Sequence, residues 1–67
     1  MNVLNVKIKG VHTGVFRSGD WADVVGLVIL PRPDGEQRLC YMVRFPDGAV
    51  DYWAVKESSN YEFKAAT

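Results

Sequence analysis

The side chains that carry out nucleophilic or acid–base chemistry are few in this chain of 67 residues. Its one histidine, His12, lies in a glycine-flanked segment typical of an exposed loop, without the serine or cysteine of a recognised nucleophile signature. Its one cysteine, Cys40, lies in an alternating apolar segment, where a small buried thiol is expected. One histidine and one cysteine are too few for a metal-ligand set. The sequence therefore predicts no catalytic residue, no metal and no cofactor.

Two pairs of aspartates have a spacing that general acid–base catalysis could use: Asp20 with Asp23, and Asp47 with Asp51. Asp20 and Asp47 lie in turn sequences, where an aspartate side chain accepts hydrogen bonds from nearby backbone amides. This structural role accounts for both pairs better than catalysis does. We therefore predict that the protein is not an enzyme.

Aromatic residues next to charged ones form the second candidate site. Trp53 shares its strand face with Asp51, a polar position, which predicts an exposed or rim tryptophan able to anchor a partner. Tyr41 and Phe45 share a different, apolar strand face and are expected in the core. The predicted partner-binding residues are Trp53, Trp21, Arg17, Arg44 and Asp51. A solvated surface with weak ion pairs is the alternative interpretation of the charged residues.

β-Strands must position these residues, because no stretch of eleven residues shows the 3.6-residue period of an amphipathic helix. Apolar and polar residues alternate instead. The sequence predicts strands at 3–9, 21–30, 39–45, 49–55 and 61–63, with one 3₁₀ turn within 55–60. Segment 11–16 is compatible with either a strand or a loop. Gly26, inside the second strand, predicts a bulge or a tight bend.

The composition and the turns favour one small closed sheet. With 48% hydrophobic and 24% charged residues, the chain is expected to fold as a single domain, 1–67, with residues 65–67 as a frayed end. Pro46-Asp47-Gly48 predicts a tight hairpin with Gly48 at positive φ. Closure into a barrel would remove exposed strand edges. The predicted core residues are Leu4, Val6, Ile8, Val25, Leu27, Ile29, Tyr41, Val43 and Phe45.

The segment 21–55, about half of the chain, resembles the SH3-like barrels of the Tudor and chromo-barrel type. The resemblance lies in an aliphatic strand followed by the hairpin Tyr41-Met-Val-Arg-Phe-Pro-Asp-Gly48 and by Asp51-Tyr-Trp53. It implies an all-β, five-stranded SH3-like barrel with a single 3₁₀ turn before the last strand. Tudor-like domains build aromatic cages for methylated lysine or arginine, but strict alternation along the strands divides these aromatic residues between two faces.

A second resemblance spans most of the chain. Arg17-Ser-Gly-Asp-Trp-Ala22, the hairpin with Trp53, and Tyr61-Glu-Phe63 are similar to short uncharacterised proteins encoded by bacteriophages. This resemblance implies a phage origin and no particular activity. It suggests a small accessory protein in the cytoplasm of a bacterial host, which binds and modulates a host or phage protein.

The charge balance bears on the partner. Eight basic and eight acidic residues give a formal net charge of zero, which excludes the basic footprint of a nonspecific phosphate binder. No apolar run approaches the roughly 20 residues of a membrane span, so a membrane partner is not expected. A protein partner is therefore preferred, and binding of single-strand or duplex nucleic acid is the alternative, through a basic edge made of Lys7, Lys9, Lys56 and Lys64. The sequence leaves monomer and homodimer open.

Overall fold

A computed structural model, which describes residues 5–66, shows five antiparallel β-strands in a single sheet. The strands are β1 (Val6–Gly10), β2 (Trp21–Pro31), β3 (Gln37–Arg44), β4 (Val50–Ala54) and β5 (Tyr61–Ala65). A 3₁₀ turn, Val55–Asn60, connects β4 to β5. The prediction of an all-β fold with one 3₁₀ turn before the last strand is confirmed. Segment 11–20, in which the sequence left a strand open at 11–16, is a loop.

The order of the strands in the sheet is β4-β3-β2-β1-β5. The chain therefore returns after β4 to place its last strand beside its first, with Ile8 paired to Phe63 and Val6 to Ala65. The Ala66 N–H extends this pairing by donating to the Asn5 carbonyl at 3.0 Å. The closing strand is thus longer than the segment 61–63 that alternation predicts.

The hairpin between β3 and β4 has the turn that its sequence predicts. The Phe45 N–H donates to the Ala49 carbonyl at 2.8 Å and the Gly48 N–H to the Phe45 carbonyl at 2.9 Å. Asp47 accepts from the Ala49 amide through Oδ1 at 3.1 Å, which is the turn role expected for this aspartate. Gly48 has a φ of 93°, so the prediction of a left-handed residue at this position is confirmed.

A bulge in β2 changes which residues face the interior. Val24 pairs with Val43, whereas the next paired residue on β2, Gly26, pairs with Met42, so Val25 is the inserted residue. The bulge that Gly26 predicts is therefore confirmed, with the inserted residue, Val25, one position before the glycine. Even-numbered residues face the interior before the bulge, and odd-numbered ones, such as Leu27, after it.

The core lies under the first half of β2. Its buried residues are Ile8, Ala22, Val24, Val43, Phe45, Trp53 and Tyr61, with Val6, Val15, Tyr41 and Ala49 packed partly buried against them. The prediction is confirmed for Ile8, Val43 and Phe45. It is wrong for Leu27 and Ile29, which are 55% and 61% exposed because their part of the inner face extends beyond the core. Val25 is half-buried, and Leu4 lies outside the described residues.

The sheet curls so that side chains of its two edge strands meet. Trp53 of β4 stacks on Tyr61 of β5 with 5.1 Å between ring centroids and 27° between ring planes. Tyr41 of β3 contacts Tyr61 edge-on, at 6.3 Å. The strand pairing nevertheless leaves β4 and β5 as the two edges of the sheet, so closure into an SH3-like barrel stays a prediction. In the part of the chain described, no helix is long and apolar enough to cross a membrane.

Candidate functional site

The five predicted partner-binding residues do not lie on one surface. Trp53 and Asp51 line a groove between segment 12–16, β4 and the 3₁₀ turn. Arg17 and Trp21 border a second depression, beside the β3–β4 hairpin. Arg44 lines neither of these and is exposed on the outer face of the sheet, paired in register with Asp23. The predicted site is therefore divided between two concave surfaces and one strand position.

The first surface, here called the aromatic groove, has a volume of about 440 Å³. Buried Trp53, Ala54 and Tyr61 form its floor. Two exposed aromatic residues also line it, Phe16 at 49% exposure and Tyr52 at 45%. Tyr52 also lines a neighbouring depression with Leu30, Pro31 and Cys40. Its polar lining residues are His12, Arg38, Asp51, Glu57 and Asn60. The groove thus combines a fixed apolar floor, exposed rings and several hydrogen-bonding groups.

Trp53 is buried, with 4% of its surface exposed, so the prediction of an exposed tryptophan is wrong. The indole N–H donates to Asp51 Oδ2 at 2.9 Å. Asp51, two residues earlier on the same strand face, therefore satisfies the donor that would otherwise make a buried indole costly. The polar neighbour that suggested exposure is the group that permits burial.

Tyr61 forms the other half of the floor. Its hydroxyl donates to the Ala54 carbonyl at 3.0 Å. Burial, assisted by the nearby carboxylate of Glu57, raises the pKa of Tyr61 to about 12. The phenol therefore stays neutral at physiological pH and acts as a hydrogen-bond donor within the fold.

Segment 11–20 is folded back onto the sheet and positions the wall of the groove. The Val11 N–H donates to the Asn60 carbonyl at 2.8 Å, which joins this loop to the end of the 3₁₀ turn. The Gly19 N–H donates to the Gly10 carbonyl at 2.8 Å. A Cβ at Gly10 would lie 2.5 Å from Val15 Cγ1, so only glycine permits this close approach.

His12 has a structural role in the same loop. The Gly14 N–H donates to His12 Nδ1 at 3.0 Å, which requires that nitrogen to be unprotonated. The loop position predicted for His12 is confirmed, because the residue is exposed and precedes a turn. His12 and Phe16 both line the aromatic groove, so the imidazole is available as a polar contact there.

The second surface, here called the hairpin cleft, contains Arg17 and Trp21 together with Phe45, Pro46 and Asp47. Arg17 Nη1 contacts Asp47 Oδ2 at 2.9 Å, and its guanidinium lies 5.2 Å from the ring centroid of Phe45. The Ala49 amide and the Arg17 guanidinium lower the pKa of Asp47. Arg17 is thus already engaged by the hairpin and is less available to a partner than its sequence position suggests.

The outer face of β1, β2 and β5 carries most of the predicted basic edge. Trp21 lies between two ammonium groups, with Lys64 Nζ at 4.1 Å and Lys9 Nζ at 4.9 Å from its ring centroid. Lys7 is paired with Asp23 at 2.8 Å, and Lys9 with Glu62 at 3.6 Å. These acidic partners offset much of the positive charge.

Lys56 lies elsewhere, on the 3₁₀ turn beside a separate groove that Leu39 and Val55 also line. The four lysines of the predicted edge therefore do not form one strip. Only Lys7, Lys9 and Lys64 lie together.

The carboxylate pairs that could have supported acid–base chemistry are engaged separately. Asp23 contacts Lys7, Asp47 contacts Arg17, and Asp51 accepts from Trp53. Cys40 is buried, as predicted. Between residues 5 and 66 no cluster of three or more histidine, cysteine, aspartate or glutamate residues could hold a metal ion.

Sequence reasoning did not select Phe16, Tyr52 or Tyr61 for the site. Tyr52 and Trp53 occupy opposite faces of β4, so placing Trp53 inside puts Tyr52 outside. Asp51 was the available signal that Trp53 is buried, because an acceptor two residues from a tryptophan on a strand can satisfy the buried indole N–H. Phe16 gives no such signal, since its exposure depends on how the loop folds back.

No family model, no curated protein and no solved structure matches the chain.

Proposed function

We propose that this protein is a non-enzymatic binding module that holds a segment of another protein in the aromatic groove. The observation that carries the proposal is that Phe16 and Tyr52, two half-exposed aromatic residues, line a groove whose floor is buried Trp53 and Tyr61. Aromatic side chains beside a rigid apolar floor are typical of the residues that dominate binding energy at protein interfaces.

The polar groups of the groove indicate the chemistry of the bound segment. Two carboxylates, Asp51 and Glu57, line the groove with one guanidinium, Arg38. The Arg38 Nε–H is buried and lacks an acceptor within residues 5–66, and a backbone carbonyl of a bound segment is an acceptor of the required kind. The best fit is an extended segment with an apolar anchor and an adjacent basic residue.

The biological setting is part of the same proposal and depends on the sequence resemblance. We place the protein among small bacteriophage accessory proteins, acting in the bacterial cytoplasm on a host or phage protein. Capture of partners from a bacterial lysate, followed by mass spectrometry, identifies the ligand for the measurements below.

The test uses the exposed rings, because Trp53→Ala would remove a core side chain and unfold the domain. Phe16→Ala and Tyr52→Ala should each weaken binding of the captured partner by about 30-fold or more in calorimetric titration, the scale of an interface hot spot. Val50→Ala is the matched control, since Val50 precedes Tyr52 on β4, is 42% exposed and does not line the groove. Unchanged affinity in both ring variants, with the fold intact, contradicts the proposal.

Nucleic-acid binding is the second candidate, and Trp21 between Lys9 and Lys64 is the observation that favours it. The ion pairs of Lys7 and Lys9 and the net charge of zero weigh against it. The affinity for a protein segment in the groove should fall only mildly between about 50 and 200 mM salt. A protein that makes many phosphate contacts with nucleic acid loses about 10³-fold or more in affinity over the same range. A steep loss of affinity with salt, with a smaller slope in Lys64→Gln, would favour nucleic-acid binding.

A further inference from the structure

Two arginine side chains lie near each other on the outer face of the hairpin that joins β2 to β3. Leu30 pairs in register with Arg38, and Arg32 follows Leu30 by two residues, so the two arginines are diagonal neighbours on one face. The Arg32 N–H extends the ladder by donating to the Glu36 carbonyl at 2.8 Å. The backbone of this hairpin therefore places two guanidinium groups in one region.

Both arginines line a depression, here called the arginine depression, with a volume of about 330 Å³. Its other lining residues are Leu30, Pro31, Pro33, Cys40 and Tyr52. Among residues 5–66, those that line it include two positive groups and no carboxylate, although the formal net charge of the whole chain is zero. The volume lies at the lower end of the range for small-molecule sites. The depression thus suits a small anionic ligand.

The two guanidinium groups have hydrogen-bond donors without acceptors. The Nε atom of each arginine is buried and has no hydrogen-bond partner in the described part of the chain. Buried N–H groups are rarely left unpaired. Residues 1–4 and 67, which lie outside the described range, include no aspartate or glutamate that could neutralise the pair. An anion bound from solution would supply the acceptors.

The acidic residues near the arginines are weak competitors for such a ligand. Asp34 Oδ2 lies 3.6 Å from Arg32 Nε, and the two side chains are 55% and 37% exposed. Exposed ion pairs of this kind contribute little stability. Glu36 and Glu57 line adjoining surfaces, and neither forms an ion pair with Arg32 or Arg38 between residues 5 and 66. A phosphate dianion carries more charge than one carboxylate and can accept from both guanidinium groups.

We propose that the arginine depression binds a small phosphate monoester that carries a planar ring. The phosphate lies between Arg32 and Arg38, because the planar guanidinium group matches phosphate oxygens in geometry as well as in charge. The ring lies against Tyr52, which is 45% exposed and provides an aromatic surface beside the two arginines.

This ligand site goes beyond the proposed binding of a protein segment and does not depend on it. Arg38 and Tyr52 line the aromatic groove as well, so the two sites adjoin. A guanidinium group carries five N–H donors, so different N–H groups of Arg38 can serve a carbonyl in the groove and a phosphate in the depression.

Titration of the full chain with phenyl phosphate, followed by NMR, tests the proposal. The amide signals of Leu30, Arg32 and Arg38 should shift in a saturable way, with a dissociation constant of about 1 mM or lower. Inorganic phosphate should shift the same signals with a dissociation constant about tenfold or more higher, because it lacks the ring. Adenosine monophosphate and O-phosphotyrosine distinguish a nucleotide from a phosphorylated tyrosine as the source of this chemistry, and the one that binds at least as tightly as phenyl phosphate identifies it.

Variants separate the roles of the phosphate and the ring. Arg32→Gln and Arg38→Gln should each raise the dissociation constant of phenyl phosphate by about tenfold or more, because a charge-assisted contact is lost. Arg44→Gln is the matched control, since Arg44 is exposed on β3 and does not line the depression, and it should leave that constant unchanged. Tyr52→Leu should weaken binding of phenyl phosphate and leave that of inorganic phosphate unchanged.

Asp34→Asn supplies a variant that should improve binding. It removes the negative charge beside Arg32, while the asparagine side chain can still accept from the Glu36 amide as Asp34 Oδ1 does at 3.0 Å. The dissociation constant of phenyl phosphate should fall by about two- to fivefold.

Three outcomes overturn the proposal. The first is the absence of saturable shifts up to about 10 mM phenyl phosphate. The second is an equal loss of affinity in Arg44→Gln and Arg32→Gln, because the attraction would then come from overall charge. The third is equal affinity for phenyl phosphate and inorganic phosphate, because the ring would then have no role.

Discussion

At the scale of single residues, the groove depends on donors and acceptors that satisfy one another. Asp51 accepts from the Trp53 indole, and the Tyr61 hydroxyl donates to the Ala54 carbonyl. Each bond allows a large aromatic side chain to be buried without leaving a polar atom unpaired. The two rings can therefore stack as the floor of a binding surface.

Tyr61 makes the stability of the fold sensitive to alkaline pH. Its pKa is about 10 in the unfolded chain and about 12 in the folded one. The neutral phenol therefore contributes its full stability below pH 10, and this contribution is lost as the pH rises through 12.

We expect the free energy of unfolding in urea to fall between about pH 10 and pH 12, and to fall less steeply in Tyr61→Phe. That variant should also be less stable by about 1 kcal/mol at pH 7, because it lacks the hydrogen bond to Ala54. Equal slopes in the parent and in Tyr61→Phe would show that Tyr61 does not titrate in this range.

Gly48 gives a second prediction at this scale. Its φ is 93°, and a Cβ there would have no atom within 4 Å, so substitution meets a conformational penalty and no clash. Gly48→Val should lower the free energy of unfolding by about 1 to 2 kcal/mol, whereas Gly48→Asn should cost less, because asparagine tolerates left-handed backbone. A thermal midpoint that is the same in parent and Gly48→Val would contradict this account of the turn.

At the scale of the elements, β2 serves two parts of the molecule. Its first half, with Ala22 and Val24, faces the core, and its second half, with Leu27 and Ile29, faces solvent on the inner side. The bulge at Val25 separates the halves and shifts the alternation by one residue. The length of β2 thus exceeds what the core can cover, and the excess leaves Leu27 and Ile29 in contact with solvent.

This division predicts unequal effects of two similar truncations. Val43→Ala removes methyl groups that are 0% exposed and should destabilise the domain by about 2 kcal/mol or more. Leu27→Ala, at a residue that is 55% exposed, should cost less than about 1 kcal/mol in the monomer. Urea unfolding at low micromolar concentration measures both. A loss at Leu27 as large as that at Val43 would mean that the second half of β2 is covered.

The same elements show how far sequence alone reaches. The strands, the 3₁₀ turn and the hairpin are predictable because alternation and the residues of the turn are local signals. The exposure of Leu27 is not predictable in this way. Alternation identifies which face of a strand points inward, but not how far along the strand the core packs against that face. Asp51 and Trp53 were selected together, and they do lie together, but burial of the indole depends on Tyr61, which is distant in sequence.

At the scale of the whole molecule, a small domain carries two different kinds of surface. The aromatic groove is concave and lined by polar and aromatic groups, which suits a segment of another protein. The second surface is apolar and lies on the inner face of β2, where Leu27 and Ile29 are exposed. A domain of 67 residues buries a smaller share of its surface than a large one, so surfaces of both kinds remain available.

The hydrogen bond between Val11 and Asn60 has a consequence for the order of folding. It joins two segments that are distant in sequence and continues the pairing of Gly10 with Tyr61, which brings the wall and the floor of the groove together. Contacts between distant positions carry the largest loop-closure entropy and tend to form late. The groove is therefore completed only in the native state, so a partner that binds there selects folded molecules and, by mass action, increases their population.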